Sequence, residues 1–394
     1  MKLWKGERSL NYNGGNDKSM AAPTARAFQR GSALMATRLC TRIPGALLAR
    51  YLTTSSARLP LVGIIDMENR DGTIYTPTTM AEQIETHTLA GTARVVYTGA
   101  SSIEEVDPAV LNELEAVLLR RCAFGTQQLK LLPQLKCVLR MGAGYDNIDL
   151  AACTARGVVA CNAPDAWVEE VADSTICLLI GLLRQTFALA AFVSGGGGWT
   201  RQAGLPSRGI RRLRGLRLGL VGLGRIGTAV AVRARAFGLD VRFYDPHLPE
   251  GVEKAIGGLT RAQSLTELVS SCEAISLHCP LTDSTRHMLS HTTLPKSPTD
   301  AVFVVNAARG GVLDESALLA GLADGRVRGA ALDSLEDEPR VSRALLDAQR
   351  GGANLLITPH AAFYSDEAFD EMRRLAAGEV GRVLRGEAAR CRVN

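Results

Sequence analysis

The sequence predicts an α/β fold built on a doubly wound parallel sheet. Strand-like apolar runs alternate with helical patterns from residue 59 to residue 384, and this alternation is typical of βαβ units. In addition, an apolar run at 218–221 passes into the pattern Gly222-x-Gly224-x-x-Gly227, then into a helical pattern and a second strand at 241–245. The two observations together favour a sheet with helices on both faces.

The individual elements are expected in the following order. Strands are predicted at residues 59–66, 94–97, 136–140, 157–161, 218–221, 241–245, 274–278, 301–306 and 329–333, and the second half is expected to form a six-strand sheet. Helices are predicted at residues 108–119, 168–193, 228–237, 265–271, 315–324 and 365–384. The chain of 394 residues is long enough for two or three domains.

Composition limits the function classes. With 46% apolar and 22% charged residues, the chain has the composition of an ordinary soluble globular protein. Its longest apolar stretch, 174–183, stops at Arg184 and is too short to cross a bilayer, so no membrane partner is expected. The net charge of +5 comes mostly from the first 60 residues, so direct nucleic-acid binding is not expected either.

Residues 1–59 are expected to lie outside the fold. No acid occurs from Ala21 to Pro60, and Arg, Ala, Ser and Thr dominate this basic segment. The stretch 35–56 resembles a mitochondrial transit peptide. A disordered basic tail and an over-extended gene model are equally compatible with this composition.

The cysteines do not predict a metal centre. The nine cysteines include no C-x-x-C pair and no Cys/His cluster at zinc spacing. We therefore expect no metal, and reduced, buried thiols.

The glycine pattern predicts a dinucleotide site. Gly222 allows a tight turn, Gly224 lets a pyrophosphate approach the backbone, and Gly227 lets helix and strand pack closely. Asp245 follows Gly227 by 18 residues, where a carboxylate accepts hydrogen bonds from ribose hydroxyls and repels a 2′-phosphate. The alternative is a glycine-rich turn without a ligand. The spacing favours NAD as the cofactor.

Three polar residues follow strand-like runs in the second half: Arg309, Glu338 and His360. Ligands of doubly wound sheets bind beyond the carboxyl ends of the strands. His suits proton transfer beside a hydride carrier, a carboxylate would orient it, and a guanidinium would hold a substrate carboxylate. Taken singly, each residue has an alternative interpretation as an ion pair, a surface turn or a core histidine.

The chain resembles the D-isomer-specific 2-hydroxyacid dehydrogenase family across residues 60–394, and within it the C-terminal binding proteins, which are NAD-binding transcriptional corepressors. The runs that carry this resemblance are 140–149, 169–177, 233–238, 243–246, 251–255, 277–279 and 360–365. It implies a Rossmann-type NAD-binding domain (165–357) inserted into a smaller flavodoxin-like substrate domain (60–164 plus 358–394). It also implies a homodimer formed through the NAD-binding domains.

The resemblance also implies roles for individual residues. The family's catalytic arginine, glutamate and histidine fall on Arg309, Glu338 and His360. Cofactor contacts fall on Val221, Gly222, Gly224, Arg225, Ile226, Gly227, Asp245, Cys279, Pro280, Thr285, Ala307, Ala308, Asp333 and Phe363. The positions that bind the substrate carboxylate in the family correspond to Arg140, Gly142, Ala143 and Gly144.

The chain departs from the corepressor pattern at several positions. Phe363 stands where the corepressors have Trp, Ala143 replaces a Ser and Ala307 a Thr. We expect this protein to lack the corepressors' long C-terminal tail, because the sequence shows none of it after the last predicted helix. Two functions are therefore expected. One is an NAD-dependent oxidoreductase acting on a small D-2-hydroxy or 2-oxo acid. The other is an NAD(H)-sensing corepressor scaffold that binds transcription factors.

The family resemblance and the composition of the N-terminus imply different cellular locations. The family resemblance implies a cytoplasmic or nuclear protein, whereas the Arg- and Ser-rich N-terminus indicates mitochondria.

Overall fold

A computed structural model describes residues 58–67, 83–197 and 209–394. Nearly all of the predicted extension 1–59 lies outside the described residues. The described part contains two parallel β-sheets with helices, which confirms the predicted α/β class.

The first sheet has five strands in the order β2-β1-β3-β4-β5, which is the flavodoxin-like order. Its strands are β1 (Leu61–Ile64), β2 (Arg94–Tyr97), β3 (Leu114–Leu119), β4 (Cys137–Arg140) and β5 (Val159–Asn162). The helices along this part of the chain are α1 (Ile84–Thr88), α2 (Pro108–Leu111), α3 (Thr126–Leu131) and α4 (Leu150–Ala155). All strand pairs are parallel, so the carboxyl ends of β1, β3 and β4 share one edge.

The second sheet has seven strands in the order β12-β11-β10-β9-β6-β7-β8. Its strands are β6 (Arg217–Val221), β7 (Asp240–Tyr244), β8 (Thr260–Arg261), β9 (Ala274–Leu277), β10 (Val302–Asn306), β11 (Val327–Leu332) and β12 (Leu355–Ile357). The helices are α5 (Val168–Arg184), α6 (Thr186–Phe192), α7 (Arg225–Ala236), α8 (Val252–Ile256), α9 (Leu265–Ser271), α10 (Glu315–Asp324) and α11 (Arg343–Arg350). The strand order reverses between β6 and β9, so the ligand crevice of a doubly wound sheet lies there.

The last helix, α12 (Asp366–Leu384), returns to the first sheet. Its buried face includes Met372, Ala376 and Val380, which belong to the same core as the strands β1 to β5. Arg373 of α12 also forms a buried ion pair with Glu85, with nitrogen–oxygen distances of 2.7 Å. The first sheet is therefore completed by residues from the far end of the chain.

One predicted helix is wrong. Residues 108–119 form only the short helix α2, and then the central strand β3. The run Leu114–Leu119 is buried on both faces of a parallel sheet, so it shows no alternation that would distinguish it from a buried helix.

Two further expectations are corrected. The predicted helix 168–193 breaks at Gln185, whose φ of 53° is left-handed, and continues as α6 and a π-helical turn at Val193–Gly197. The second sheet has seven strands rather than six, because the two-residue strand β8 adds to its edge.

Across the described ranges, no single helix is long and apolar enough to cross a bilayer. The pair Val168–Arg184 and Thr186–Gly196 meets the length and composition criteria only jointly, with a bend of 63° between them.

Candidate active site

The glycine loop follows β6 at the crevice between β6 and β9. Gly222 has a φ of 91°, and a Cβ there would lie 3.0 Å from the backbone of His278 and Cys279. A Cβ on Gly227 would lie 2.3 Å from the carbonyl oxygen of Gly222, whereas one on Gly224 would meet nothing within 4 Å. The loop is therefore backbone-lined and open at Gly224, beside the N-terminus of α7, and these residues fit the pyrophosphate of a dinucleotide.

Asp245 follows β7, where a ribose is expected. Its Oδ2 accepts a hydrogen bond from the Leu223 amide at 2.9 Å, and its Oδ1 accepts one from the His247 amide at 3.0 Å. The carboxylate therefore lies at the edge of the glycine loop and stabilises the loop by hydrogen bonding to it.

The neighbouring residues predicted for the cofactor differ in exposure. The side chain of Val221 is buried in the core, so only its backbone can contact a ligand. Arg225 donates from its Nε to Asp165 at 2.6 Å, and the apolar side chain of Ile226 packs against two hydrophobic cores, that of the first sheet and one of those of the second.

The loop after β9 holds the next predicted cofactor residues. The hydroxyl of Thr285 donates to the carbonyl oxygen of Pro280 at 2.7 Å, which ties the two ends of the loop together. Burial raises the pKa of the Cys279 thiol to about 11, so it stays protonated at neutral pH.

Glu338 and His360 form a pair. Oε2 of Glu338 lies 2.8 Å from Nδ1 of His360, and Oε1 accepts a hydrogen bond from the Leu335 amide at 3.0 Å. Although burial of Glu338 acts in the opposite direction, its hydrogen bond to His360 and the charge of that ring hold its pKa below the usual range. An ionised carboxylate only accepts, so Nδ1 carries the proton and Nε2 is left to exchange protons.

The backbone at His360 is held in an unusual conformation. Its φ is 51°, a left-handed value that costs free energy in a residue other than glycine. Asp333, predicted as a cofactor residue, accepts hydrogen bonds from the Thr358 hydroxyl at 2.6 Å and from the amides of Ala361 and Ala362 at 2.9 and 3.0 Å. Asp333 therefore fixes the segment that carries His360.

Arg309 reaches across to the first sheet's loops. Its Nε donates to Oδ1 of Asp146 at 3.0 Å, and its Nη1 donates to the carbonyl of Ala308 at 2.9 Å. A Cβ on Gly144 would lie only 1.4 Å from Nη2 of Arg309, so the guanidinium occupies the space that a side chain at this position would need.

The loops of Arg309 and Glu338 meet backbone to backbone. A Cβ on Gly310 would lie 1.9 Å from the carbonyl carbon of Leu335. Consistent with this approach, the positive charge of Arg309 contributes to lowering the pKa of Glu338. Arg309, Glu338 and His360 thus belong to one cluster beyond β10, β11 and β12.

Arg140 is the last residue of β4 and lies close enough to Arg309 for the two charges to interact. Its buried Nε has no hydrogen-bond partner among the described residues. Burial, followed by the charges of Arg309 and two further arginines, lowers the pKa of Arg140 to about 10, so it remains a cation at neutral pH. A buried guanidinium nitrogen without a partner is suited to an anionic ligand.

The Gly142–Gly144 loop makes room for these arginines. A Cβ on Gly142 would lie 1.8 Å from Nη1 of Arg140, and the carbonyl of Ala143 accepts a hydrogen bond from Asn162 at 2.7 Å. The loop predicted for the substrate therefore lies between the two guanidinium groups of Arg140 and Arg309.

Phe363 lies on the first-sheet side. Its ring contacts Trp167 edge-on, with centroids 4.9 Å apart, and lies 6.2 Å from the ring of His360. Ala307 packs against the same core, while the carbonyl of Ala308 accepts a hydrogen bond from Ser334. Phe363 therefore forms an apolar wall beside His360.

Two contributors were not predicted from the sequence. Asp146 lies within the family-like run 140–149 and pairs with Arg309, which is 163 residues away. Trp167 precedes α5 with a φ of 73° and packs on Phe363. The motif around Asp146 could have identified it, whereas no local signal pointed to Trp167.

In the described ranges, no group of three or more His, Cys, Asp or Glu residues could hold a metal ion.

Comparison with known proteins identifies a domain and several relatives. Residues 176–362 match the protein-family model of the D-isomer specific 2-hydroxyacid dehydrogenase NAD-binding domain. The chain is 37% identical over 338 residues to C-terminal-binding protein 1 of Caenorhabditis elegans, covering 84% of this chain and 44% of that protein. It is 38% identical over 261 residues to D-3-phosphoglycerate dehydrogenase of Methanocaldococcus jannaschii, covering 66% of this chain and 48% of that protein.

Solved structures agree with this relationship. The NADPH-dependent glyoxylate/hydroxypyruvate reductase of Sinorhizobium meliloti, in complex with NADP and malonate, is similar with a TM-score of 0.71 and 28% identity, covering 85% of this chain and 96% of that chain. The chain spans about half the length of the curated relatives it matches. The match to the NAD-binding domain confirms NAD as the predicted cofactor, and residues 176–362 form the NAD-binding domain of the D-isomer specific 2-hydroxyacid dehydrogenase family.

Proposed function

We propose that this protein is an NAD-dependent oxidoreductase that interconverts a small D-2-hydroxy acid and its 2-oxo acid. The observation that carries the proposal is the Glu338–His360 pair at 2.8 Å, in one cluster with Arg309 at the carboxyl edge of the sheet that also carries the glycine loop. Structural roles alone would not bring a proton-exchanging ring and two substrate-directed guanidinium groups to a dinucleotide crevice.

Each residue has a part in this reaction. Arg140 and Arg309 hold the substrate carboxylate, and Arg309 polarises the adjacent carbonyl. His360 exchanges the hydroxyl proton at Nε2, while Glu338 keeps Nδ1 protonated and stabilises the charged ring. Bound NAD supplies or accepts the hydride.

The proposal is tested by following NADH oxidation with a panel of 2-oxo acids. Replacing His360 by Ala is expected to lower kcat by about 10²–10⁴-fold. The matched control is His291→Ala, because His291 is exposed and lies outside the cluster. Turnover that is absent with every acid, or that survives in the His360→Ala variant, would contradict the proposal.

NAD rather than NADP is the proposed cofactor because Asp245 stands at the rim of the glycine loop. A carboxylate there repels a 2′-phosphate. The related Sinorhizobium reductase is named as NADPH-dependent, so the preference has to be measured on this chain.

A homodimer is part of the proposal. Helix α6 (Thr186–Phe192) is mostly apolar but buries none of its residues, and Phe187 and Val193 are 45% and 49% exposed. A second copy covering this helix would remove that apolar surface from water. Analytical ultracentrifugation is expected to give a dimer, and Val193→Arg is expected to weaken it. A wild-type protein that sediments as a monomer would exclude it.

A second candidate function is an NAD(H)-sensing corepressor scaffold that binds transcription factors, with little turnover. The similarity to C-terminal-binding protein 1 of Caenorhabditis elegans favours it. An immobilised peptide of the corepressor-recruiting type should then retain the protein when NADH is present, and no retention would exclude this role. A tagged full chain in the nucleus would support this candidate, while a mitochondrial or purely cytoplasmic location would oppose it.

A further inference from the structure

Trp167 lies between the glycine loop of the first sheet and the aromatic wall beside His360. A Cβ on Gly142 would lie 1.8 Å from Nη1 of Arg140 and 3.1 Å from Nε1 of Trp167, so the guanidinium and the indole nitrogen are near neighbours at this loop. The indole also packs edge-on against Phe363, with ring centroids 4.9 Å apart. Trp167 therefore connects the arginine proposed to bind the substrate carboxylate with the wall of the pocket.

The indole N–H of Trp167 has no hydrogen-bond partner among the described residues. Trp167 is only 7% exposed, and a buried donor without an acceptor costs free energy. The carbonyl oxygen of Gly142 accepts a hydrogen bond from the amide of Ala163 at 3.0 Å. That of Ala143 accepts one from the side chain of Asn162 at 2.7 Å. Since both carbonyls of the adjoining loop are engaged, the indole N–H is available to an acceptor on a bound ligand.

The backbone of Trp167 supports a role in binding. Its φ of 73° is left-handed, which is rare and costly for a bulky residue. Trp167 directly precedes α5, and its carbonyl oxygen accepts a hydrogen bond from the amide of Val171 at 2.9 Å. Strain of this kind is concentrated at positions that bind ligands. The strained backbone holds the indole beside Arg140.

A carboxylate suits the two neighbouring donors together. In the proposed function, Arg140 holds the carboxylate of the 2-oxo acid, and its buried Nε also lacks a partner in the part of the chain that the structure describes. A carboxylate accepts several hydrogen bonds through its two oxygens, whereas an indole N–H can only donate. A substrate carboxylate can therefore satisfy both groups, and its charge strengthens each hydrogen bond.

We propose that Trp167 is a further substrate-binding residue, which donates its indole N–H to the substrate carboxylate held by Arg140. This inference rests on the proposed function for the position of that carboxylate. The indole contributes to the binding of the acid and not to the proton transfer at His360. Loss of its N–H therefore weakens substrate binding and leaves the chemical step in place.

The first test is kinetic and uses the full chain with NADH and the 2-oxo acid that gives the highest kcat/KM. Trp167→Phe removes the N–H but keeps an aromatic ring. We expect KM for the acid to rise about tenfold, while kcat and the Kd for NADH change by no more than about twofold. The matched control is Trp4→Phe, the same substitution in the segment that the sequence predicts to lie outside the fold.

The second test follows tryptophan emission and needs no turnover. The acid, or pyruvate if no acid is turned over, is added with oxidised NAD, under which it cannot be reduced, and a parallel melt records the rise in Tm. A carboxylate at the indole N–H should change the emission of the wild type. Trp167→Phe should lose this change, and Trp4→Phe should keep it.

A KM that is unchanged in Trp167→Phe, or a Kd for NADH that rises as much as KM, would overturn the inference and leave the proposed function intact. Absence of all turnover contradicts the proposed function, and the emission then decides the inference. An acid that leaves the wild-type emission unchanged, or changes it equally in Trp167→Phe, would overturn it.

A further variant covers the case in which Trp167→Phe does not fold. The chain has three tryptophans, so replacing both Trp4 and Trp199 by Phe leaves Trp167 as the single source of emission. A change in emission on adding the acid is expected to persist in this double variant. Its loss, with the rise in Tm retained, would overturn the inference.

Discussion

Two glycine loops in the described part of the chain, 222–227 and 142–144, both follow a strand of a parallel sheet, but their glycines leave room for different groups. In the first loop, Gly222 and Gly227 face backbone atoms and Gly224 faces open space. In the second, Gly142 and Gly144 face the guanidinium groups of this chain's own arginines. One loop leaves room for a ligand, and the other leaves room for the residues that bind one.

Each loop also has an acid beside it. Asp245 accepts a hydrogen bond from a backbone amide of the first loop at 2.9 Å. Asp146, just after the second loop, forms an ion pair with Arg309 at 3.0 Å. Changes in the first loop should therefore alter cofactor binding, and changes in the second should alter substrate turnover.

The largest effect is expected from Gly144→Ala. A methyl group there would overlap Arg309, so the guanidinium must move, and we expect kcat/KM for a 2-oxo acid to fall about 100-fold. NADH binding, measured by fluorescence, should change by no more than about twofold. Gly378→Ala in α12 serves as the control, because the same methyl group there meets nothing within 4 Å. Near-normal kcat/KM in Gly144→Ala would show that the second loop does not need a glycine there to leave room for Arg309.

A pair of changes separates the roles within the cofactor loop. Gly224→Ala places a methyl in open space, so the Kd for NADH should rise about tenfold with little change in Tm. Gly227→Ala meets the carbonyl oxygen of Gly222 and should also lower Tm, by about 3 °C or more. Fluorescence titration and thermal melting measure the two effects. Equal losses of stability in both variants would be inconsistent with this division.

The next effect concerns cofactor choice. Asp245→Asn removes the negative charge at the rim of the loop, so the ratio of kcat/KM for NADH over NADPH should fall about tenfold. Asp240→Asn, at the start of β7, is the control because it changes the charge equally at the other end of the strand. A ratio that does not respond to Asp245→Asn would exclude this role.

The smallest effect concerns stability and pH. Burial of Asp146 acts in the opposite direction, but the charge and hydrogen bond of Arg309 hold its pKa below the usual range. The ionised carboxylate therefore stabilises the fold above its unfolded pKa of about 3.9, and this contribution is lost as the pH falls through the lower folded value. Asp146→Asn should melt about 1–2 °C below the wild type at pH 7.

That difference should shrink towards zero once the pH is brought below the lowered folded pKa of Asp146, where the wild-type carboxylate takes up a proton. Melting curves at both pH values and equal ionic strength check it. A difference that stays constant with pH would show that Asp146 acts through packing rather than charge.

Much of the second sheet could be predicted from the sequence. The helices Leu265–Ser271 and Glu315–Asp324 have the predicted bounds, because each is amphipathic or capped by a preceding Ser or Asp. The strand Leu114–Leu119 was missed because its apolar run is buried on both faces and has no period.

The candidate site was predictable only where its residues stand in a local motif. Arg309, Glu338 and His360 follow strands and could be named, and the structure brings Glu338 and His360 within 2.8 Å. Asp146 and Arg309 could not be paired in advance, because a contact over 163 residues depends on how the two sheets approach each other. The clamp of Asp333 on the His360 segment likewise exists only in the folded chain.

The return of α12 to the first sheet has a consequence for how the chain folds as it is made. The strands β1 to β5 are synthesised first, yet the face covered by Met372, Ala376 and Val380 stays bare until those residues emerge. The second sheet, in contrast, is complete once Ile357 has been added. Because domains fold as units during synthesis, the part made in the middle can reach its native state before the part made first.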